Sequence, residues 1–145
     1  DHMVYSRIGL KHPCVYFHEM QAMSEEELKQ FACIIVDEAQ FLTREEVRYL
    51  VHLVDDCGIP VICYGLRTDF MHNLFEGSMW LMAWADAIEE IKTVCWCGHA
   101  AQCNARIDEN GDMVREGEQV VLGANDKYIS LCRKHFYEGN TGKKK

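Results

Sequence analysis

Residues 33–64, CIIVDEAQFLTREEVRYLVHLVDDCGIPVICY, decide the fold. Cys33-Ile34-Ile35-Val36 is short, β-branched and uninterrupted, and it stops abruptly at Asp37-Glu38. Such a run predicts a strand buried on both faces, as in parallel sheets. Thr43 and Glu46 form a capping box. Behind it, Val47, Leu50, Val51 and Val54 recur at helical spacing, which predicts one helix with a single apolar stripe. Gly58 can end that helix and Pro60 forbids its continuation. Val61-Ile62-Cys63-Tyr64 predicts a second strand. Strand, helix and strand over about thirty residues make a βαβ unit, expected right-handed.

The flanking sequence adds shorter elements. Val15-Tyr16-Phe17 predicts a strand. Ser24 and Glu27, a second capping box, predict a helix over residues 25–31. Helical character returns over 73–87, with Leu74, Leu81, Trp84 and Ile88 available for one face. Residues 90–96 alternate enough for a strand. Short β pieces are expected at 100–107 and 119–122, with Asn110-Gly111 as a hairpin marker. Residues 139–145 are polar and expected to fray.

The chain has 145 residues, with Lys+Arg 15 against Asp+Glu 23 and a formal net charge of -8. A balance this acidic disfavours a nucleic-acid or anionic-membrane partner, because neither is held without a basic face. No run approaches the roughly 20 apolar residues of a membrane span. Asp1-His2-Met3-Val4-Tyr5-Ser6-Arg7 has no signal-peptide pattern. A soluble, cytoplasmic protein is expected. A start at Asp rather than Met suggests that something upstream was cut away or not included.

Two constellations can carry chemistry. Asp37 and Glu38 stand at the carboxyl end of the first strand, where open α/β sheets bind ligands. Neighbouring strand residues point to opposite sides, so the two acids can serve different partners. One can hold Mg²⁺ and the other can act as base for an attacking hydroxyl, a division that suits phosphoryl transfer. The alternative is a solvated acid pair capping the next loop. The second constellation is Cys95-Trp96-Cys97 with Cys132-Arg133-Lys134-His135. Two such knuckles around a β-rich stretch match a closed, structural Zn site of three thiolates and one imidazole. Cys103 or His99 could replace one ligand, and a packing role for all these cysteines is the other alternative. Cys14, Cys33, Cys57 and Cys63 lie singly and read as reduced, small hydrophobes. No Gly-x4-Gly-Lys-[Ser/Thr] phosphate loop occurs in these residues.

Ser6-Arg7-Ile8-Gly9-Leu10, Asp37-Glu38-Ala39-Gln40-Phe41, the two metal knuckles and the stretch from Gly117 to Tyr128 occur in the order found in bacterial type II thymidine kinases, which the chain resembles over nearly its whole length. The resemblance covers only the later part of that family's length, without its first strand, phosphate loop and following helix. It implies an α/β fold, a P-loop/RecA-like parallel sheet core incomplete at its N-terminus, with a small zinc-containing lasso domain. The expected division is 1–92 for the partial P-loop kinase domain, 93–137 for the lasso domain and 138–145 for a flexible tail.

The resemblance also implies ATP-dependent phosphorylation of the 5′-hydroxyl of thymidine or deoxyuridine in pyrimidine salvage. Glu38 matches the proton acceptor and Asp37 the acid that helps hold Mg²⁺ with ATP. Phe70 matches the aromatic of the nucleoside pocket. Gln119, Val120, Val121, Leu122 and Gly123 match the lasso that reads the thymine edge through its main chain, and Tyr128 matches a nucleoside-binding tyrosine. Cys95, Cys97, Cys132 and His135 match the Zn ligands. Thymidine triphosphate (dTTP) as feedback inhibitor and a homotetramer are implied too. Without the phosphate loop, these 145 residues alone are expected to turn over little or not at all. Two other classes compete. Asp-Glu-Ala-Gln also resembles a motif of ATP-driven nucleic-acid motors, and the carboxyl-terminal third resembles a non-enzymatic zinc-ribbon interaction module.

Overall fold

The computed structural model describes residues 1–121 and 127–144. It is a mixed α/β structure with two two-stranded sheets and one three-stranded sheet among the described residues. The chain divides into two compact units, Asp1–Val36 with Arg48–Ile62, and Asp37–Val47 with Cys63–Lys145.

The first unit opens with an antiparallel hairpin of β1 (Met3–Tyr5) and β2 (Lys11–Pro13). Its turn closes on Ser6, whose carbonyl accepts the Gly9 N–H and whose hydroxyl accepts the Leu10 N–H. Gly9 takes φ +89°, a conformation that favours glycine. Two short helices follow, α1 (Phe17–Gln21) and α2 (Glu25–Leu28). The strand expected at residues 15–17 does not form: Tyr16 instead caps α1, its N–H held by the Glu19 carboxylate at 3.2 Å. Ser24 caps α2 as expected, accepting the Glu27 N–H. The helix then ends at Leu28, three residues short of the expected limit.

The strand–helix–strand order stands. β3 (Ile34–Val36) and β4 (Val61–Cys63) pair in one sheet, separated in sequence by α3 (Arg44–Asp55). The expected capping box starts α3, with Thr43 and Glu46 exchanging N–H to side-chain bonds. Val47, Leu50 and Leu53 are its buried residues, while Val51 and Val54 are half-buried. The expectation of strands buried on both faces is corrected: Ile34 is buried, but Ile35 is 66% and Ile62 46% exposed. Among the described residues this sheet has only two strands.

The second unit begins with a 3-10 turn at Ala39–Phe41, directly after Asp37 and Glu38. Helix α4 (Glu76–Trp84) is shorter than the 73–87 expected. It starts hard against that turn, for a Cβ on Gly77 would lie 2.4 Å from the Ala39 carbonyl oxygen. Strand β5 (Cys103–Ile107) is the centre of an antiparallel sheet between β6 (Met113–Val114) and β7 (Lys127–Leu131). The Asn110-Gly111 hairpin forms as expected between β5 and β6. Helix α5 (Arg133–Glu138) follows β7. Cys95, Ala101, Cys103, Ala105, Leu131, Cys132 and Phe136 make the core beneath the sheet.

Two more expected strands are absent among the described residues. Of residues 90–96 only Val94 makes a bridge, to Ala100, because the chain turns tightly at Cys95. Gln119 and Val120 form bends and Val121 belongs to no strand, and the expected Leu122 and Gly123 lie outside the described residues. Residues 140–143, in the stretch expected to fray, hydrogen-bond back onto the unit. Trp96 Nε1 donates to the Asn140 carbonyl, Thr141 donates to the Gly111 carbonyl, and Lys143 pairs with Asp112.

Candidate functional site

Glu38 sits where the apolar strand gives way to the 3-10 turn. Its backbone is left-handed, φ 51° and ψ 38°, a conformation uncommon outside glycine and asparagine. A carboxylate held in a sparsely populated conformation points to a functional constraint. The side chain is held as well: buried Gln40 donates from Nε2 to Glu38 Oε2 at 2.6 Å. Gln40 is fixed in turn by the Leu66 N–H on its Oε1. A Cβ at position 65 would come within 2.6 Å of that same oxygen, so Gly65 leaves the amide its room. Asp37 is exposed, and its Oδ1 accepts the Glu38 N–H at 2.9 Å.

Glu38 lines a cleft of about 230 Å³ together with Phe41, Phe70, Phe75, Gln119 to Val121 and Tyr128. That is small for a ligand site, whose usual range is roughly 300–1,000 Å³. Its aromatic walls suit one flat guest. The cleft thus brings together Glu38, Phe70, Gln119, Val120, Val121 and Tyr128 from the residues singled out in sequence. Asp37 is not among its lining residues.

Three groups not singled out in sequence build the walls. Arg106 is only 1% exposed, and its guanidinium stacks over the Phe70 ring at 3.7 Å. It donates to the Tyr128 hydroxyl and to the carbonyls of Glu118 and Gln119. A buried charge needs such satisfaction, since desolvating it alone would be prohibitive. Arg106 faces Tyr128 across the β5–β7 ladder, so register places the two side by side. Buried Asp69 accepts the Met71 and Asn73 N–H groups on one oxygen and Gln119 Nε2 on the other. Asn104 lines the same cleft and donates to the Thr68 carbonyl. In sequence, Arg106 looks like an ordinary strand residue. Only the register of β5 with β7 reveals that it is enclosed.

The second constellation also assembles. Cys95, Cys97, Cys132 and His135 offer ligand atoms within 4.8 Å of one another. Cys97 Sγ lies 3.9 Å from Cys132 Sγ, and His135 Nδ1 lies 3.3 Å from Cys132 Sγ and 3.6 Å from Cys95 Sγ. Zinc bond lengths in a tetrahedron require edges of about 3.6–3.8 Å, so the donor set fits the ion. Cys103 and His99 are outside this group, although His99 Nδ1 lies 3.3 Å from Cys97 Sγ. Cys95 and Cys97 come from the tight turn before β5, Cys132 from the end of β7 and His135 from α5.

The thiols are electrostatically unequal. Burial pushes the Cys95 thiol up, but the N–H groups of Cys97 and Cys132, His135 and the Cys97 thiol outweigh it and bring it to about 6. At Cys97 the His99 N–H pulls down, yet burial with the Cys95 and Cys132 sulfurs leaves the thiol raised. Ionisation is therefore favoured at Cys95 and resisted at Cys97. A divalent cation is what would let both sulfurs ionise together.

The model of the thymidine kinase family matches residues 1–136 of the chain. Thymidine kinase of Legionella pneumophila (strain Lens) is 47% identical over 146 aligned residues, covering 97% of this chain and 70% of that protein. Thymidine kinase of Mannheimia succiniciproducens is 48% identical, covering 97% of this chain and 74% of its own. For thymidine kinase of Escherichia coli (strain K12) the identity is 48%, over 93% of this chain and 68% of that protein.

Proposed function

Because the chain belongs to the thymidine kinase family, we propose that its cleft binds thymidine or deoxyuridine and that Glu38 is the base of phosphoryl transfer from ATP. The single observation that carries this reading is the convergence of a tethered carboxylate and the segment Gln119 to Val121 on one small aromatic cleft. The pyrimidine lies against Phe70 and Tyr128, and its edge meets the backbone of the lasso, which continues through Leu122 and Gly123. The 5′-oxygen attacks the γ-phosphorus, the bond to the β–γ bridging oxygen breaks, and ADP leaves. Glu38 takes the hydroxyl proton, and Gln40 keeps its carboxylate aimed.

The Cys95, Cys97, Cys132, His135 set would hold a structural Zn²⁺, which ties together the chain segments on either side of the lasso. A restrained loop loses less ordering entropy when it closes on its ligand. Asp37 would help hold Mg²⁺ with ATP; that ion neutralises charge on the phosphates. In this reading residues 1–92 belong to a P-loop kinase core, 93–137 to the lasso domain and 138–145 to its tail. A cytoplasmic homotetramer inhibited by dTTP completes it. No described helix is long and apolar enough to cross a membrane.

Calorimetric titration of the 145-residue chain tests the reading directly. Thymidine is expected to bind, while ATP-dependent turnover stays negligible, since no phosphate loop occurs among these residues. No thymidine affinity would favour the zinc-ribbon module instead, and duplex-stimulated ATP hydrolysis by the full-length protein would favour a nucleic-acid motor.

Arg106→Met keeps much of the volume and removes the donors. Its expected effect is at least tenfold weaker thymidine binding, because losing charged hydrogen bonds to two carbonyls costs about 1.5–3 kcal/mol each. Unchanged affinity in a folded variant would show that the lasso orders without it.

A further inference from the structure

A second cluster of metal-ligating side chains lies in the first unit, apart from everything used above. Glu25 opens α2, His52 stands in the last turn of α3, and Asp56 and Cys57 directly follow that helix. His52 Nε2 is 2.7 Å from Glu25 Oε1 and 3.8 Å from Cys57 Sγ. The ligand atoms of Glu25, His52 and Cys57 all lie within 4.8 Å of one another. Behind the ring, His52 Nδ1 is 2.6 Å from Asp56 Oδ2.

Three features favour a cation over a plain hydrogen-bond network. One ring nitrogen faces two groups of different kinds, a carboxylate oxygen and a thiol sulfur, the thiol raised by burial and by its hydrogen bond to Glu25. A cation that displaced the Nε2 and thiol protons would engage all three atoms at once, since they lie within 4.8 Å of one another. Asp56 holds the opposite nitrogen, the carboxylate–histidine arrangement that fixes the ring tautomer so that Nε2 can coordinate. The spacing is also close to that of a bound ion. A tetrahedral zinc needs about 3.6 Å between nitrogen and sulfur and about 3.3 Å between nitrogen and oxygen. The first is nearly met. The second requires the Glu25 side chain, 55% exposed, to withdraw by roughly half an ångström.

We propose that Glu25, His52 and Cys57 form a second site, for a thiophilic divalent cation of the zinc type, with Asp56 positioning the imidazole. Oxygen, nitrogen and sulfur together select zinc over magnesium or calcium, which prefer oxygen alone. Three protein ligands leave the fourth position to water, so this ion exchanges more readily than the one held by four. Bound there, it clamps α2 to the end of α3. The sequence hides the site, because its ligands are 27 and 5 residues apart and match no knuckle spacing.

The test is zinc titration of the full-length protein with its tightly held zinc retained, followed by metal analysis and Co²⁺ absorption. Uptake of one further, weaker equivalent per chain is expected beyond the retained one. Cys57→Ser should abolish the weaker event and the thiolate-to-cobalt band of the second equivalent, while keeping the first. Asp56→Asn should weaken only the second event, about 10–100-fold. Where a variant fails to fold, the wild-type protein answers instead: the second zinc equivalent should slow alkylation of Cys57, read by mass spectrometry. No uptake beyond the retained zinc in the wild type, or a second equivalent unchanged in folded Cys57→Ser, overturns the site, as does alkylation of Cys57 indifferent to zinc.

Discussion

Glu38→Gln should lower kcat for thymidine phosphorylation by the full-length protein about 10²–10⁴-fold, the usual span for a lost general base. Thymidine affinity should change far less. The amide matches the carboxylate in size but cannot take the proton from the 5′-hydroxyl. Its strained backbone site and its contact with Gln40 are properties of position and are retained in outline. Steady-state kinetics with ADP release as the signal separates the two quantities. A raised KM with kcat intact would make Glu38 a binding residue rather than the base.

Loss of the metal from the cysteine–histidine set should be larger still in structural terms. Structural zinc contributes about 10–16 kcal/mol in small zinc domains, comparable with the whole stability of a domain, about 5–15 kcal/mol. Cys132→Ser removes a ligand at the junction of β7 and α5 and leaves Cys95 and Cys97 without their closing partner. Expected outcomes are loss of bound zinc, loss of protection in amide exchange across β5 and β7, and no measurable thymidine binding. Wild-type protein carrying less than about half an equivalent of zinc, yet binding thymidine normally, would remove the metal from the account.

What could be read in the sequence had local causes. The run at 34–36, the Thr43–Glu46 box and the knuckles at 95–97 and 132–135 each announce themselves within a few residues. The failures had causes from elsewhere in the structure. Val15-Tyr16-Phe17 looked like a strand, but the Glu19 carboxylate captures the Tyr16 N–H and starts a helix. Residues 119–122 looked like another, yet Arg106 holds the Gln119 carbonyl and Asp69 its side chain from outside that segment. Arg106 and Asp69 themselves escaped notice because nothing near them in sequence shows their burial. Cys57 looked like a small apolar filler until α2 brought Glu25 toward His52.

The grip of Arg106 has a corollary for how this protein can diversify. It holds carbonyl oxygens at Glu118 and Gln119, atoms that every amino acid supplies. The identity of residue 118 is thus nearly irrelevant to the path of the chain, and lineages can drift there without loss. Changes in what the cleft accepts should therefore arise at Arg106, Asp69 or Gln119, whose side chains do the holding, rather than at residue 118.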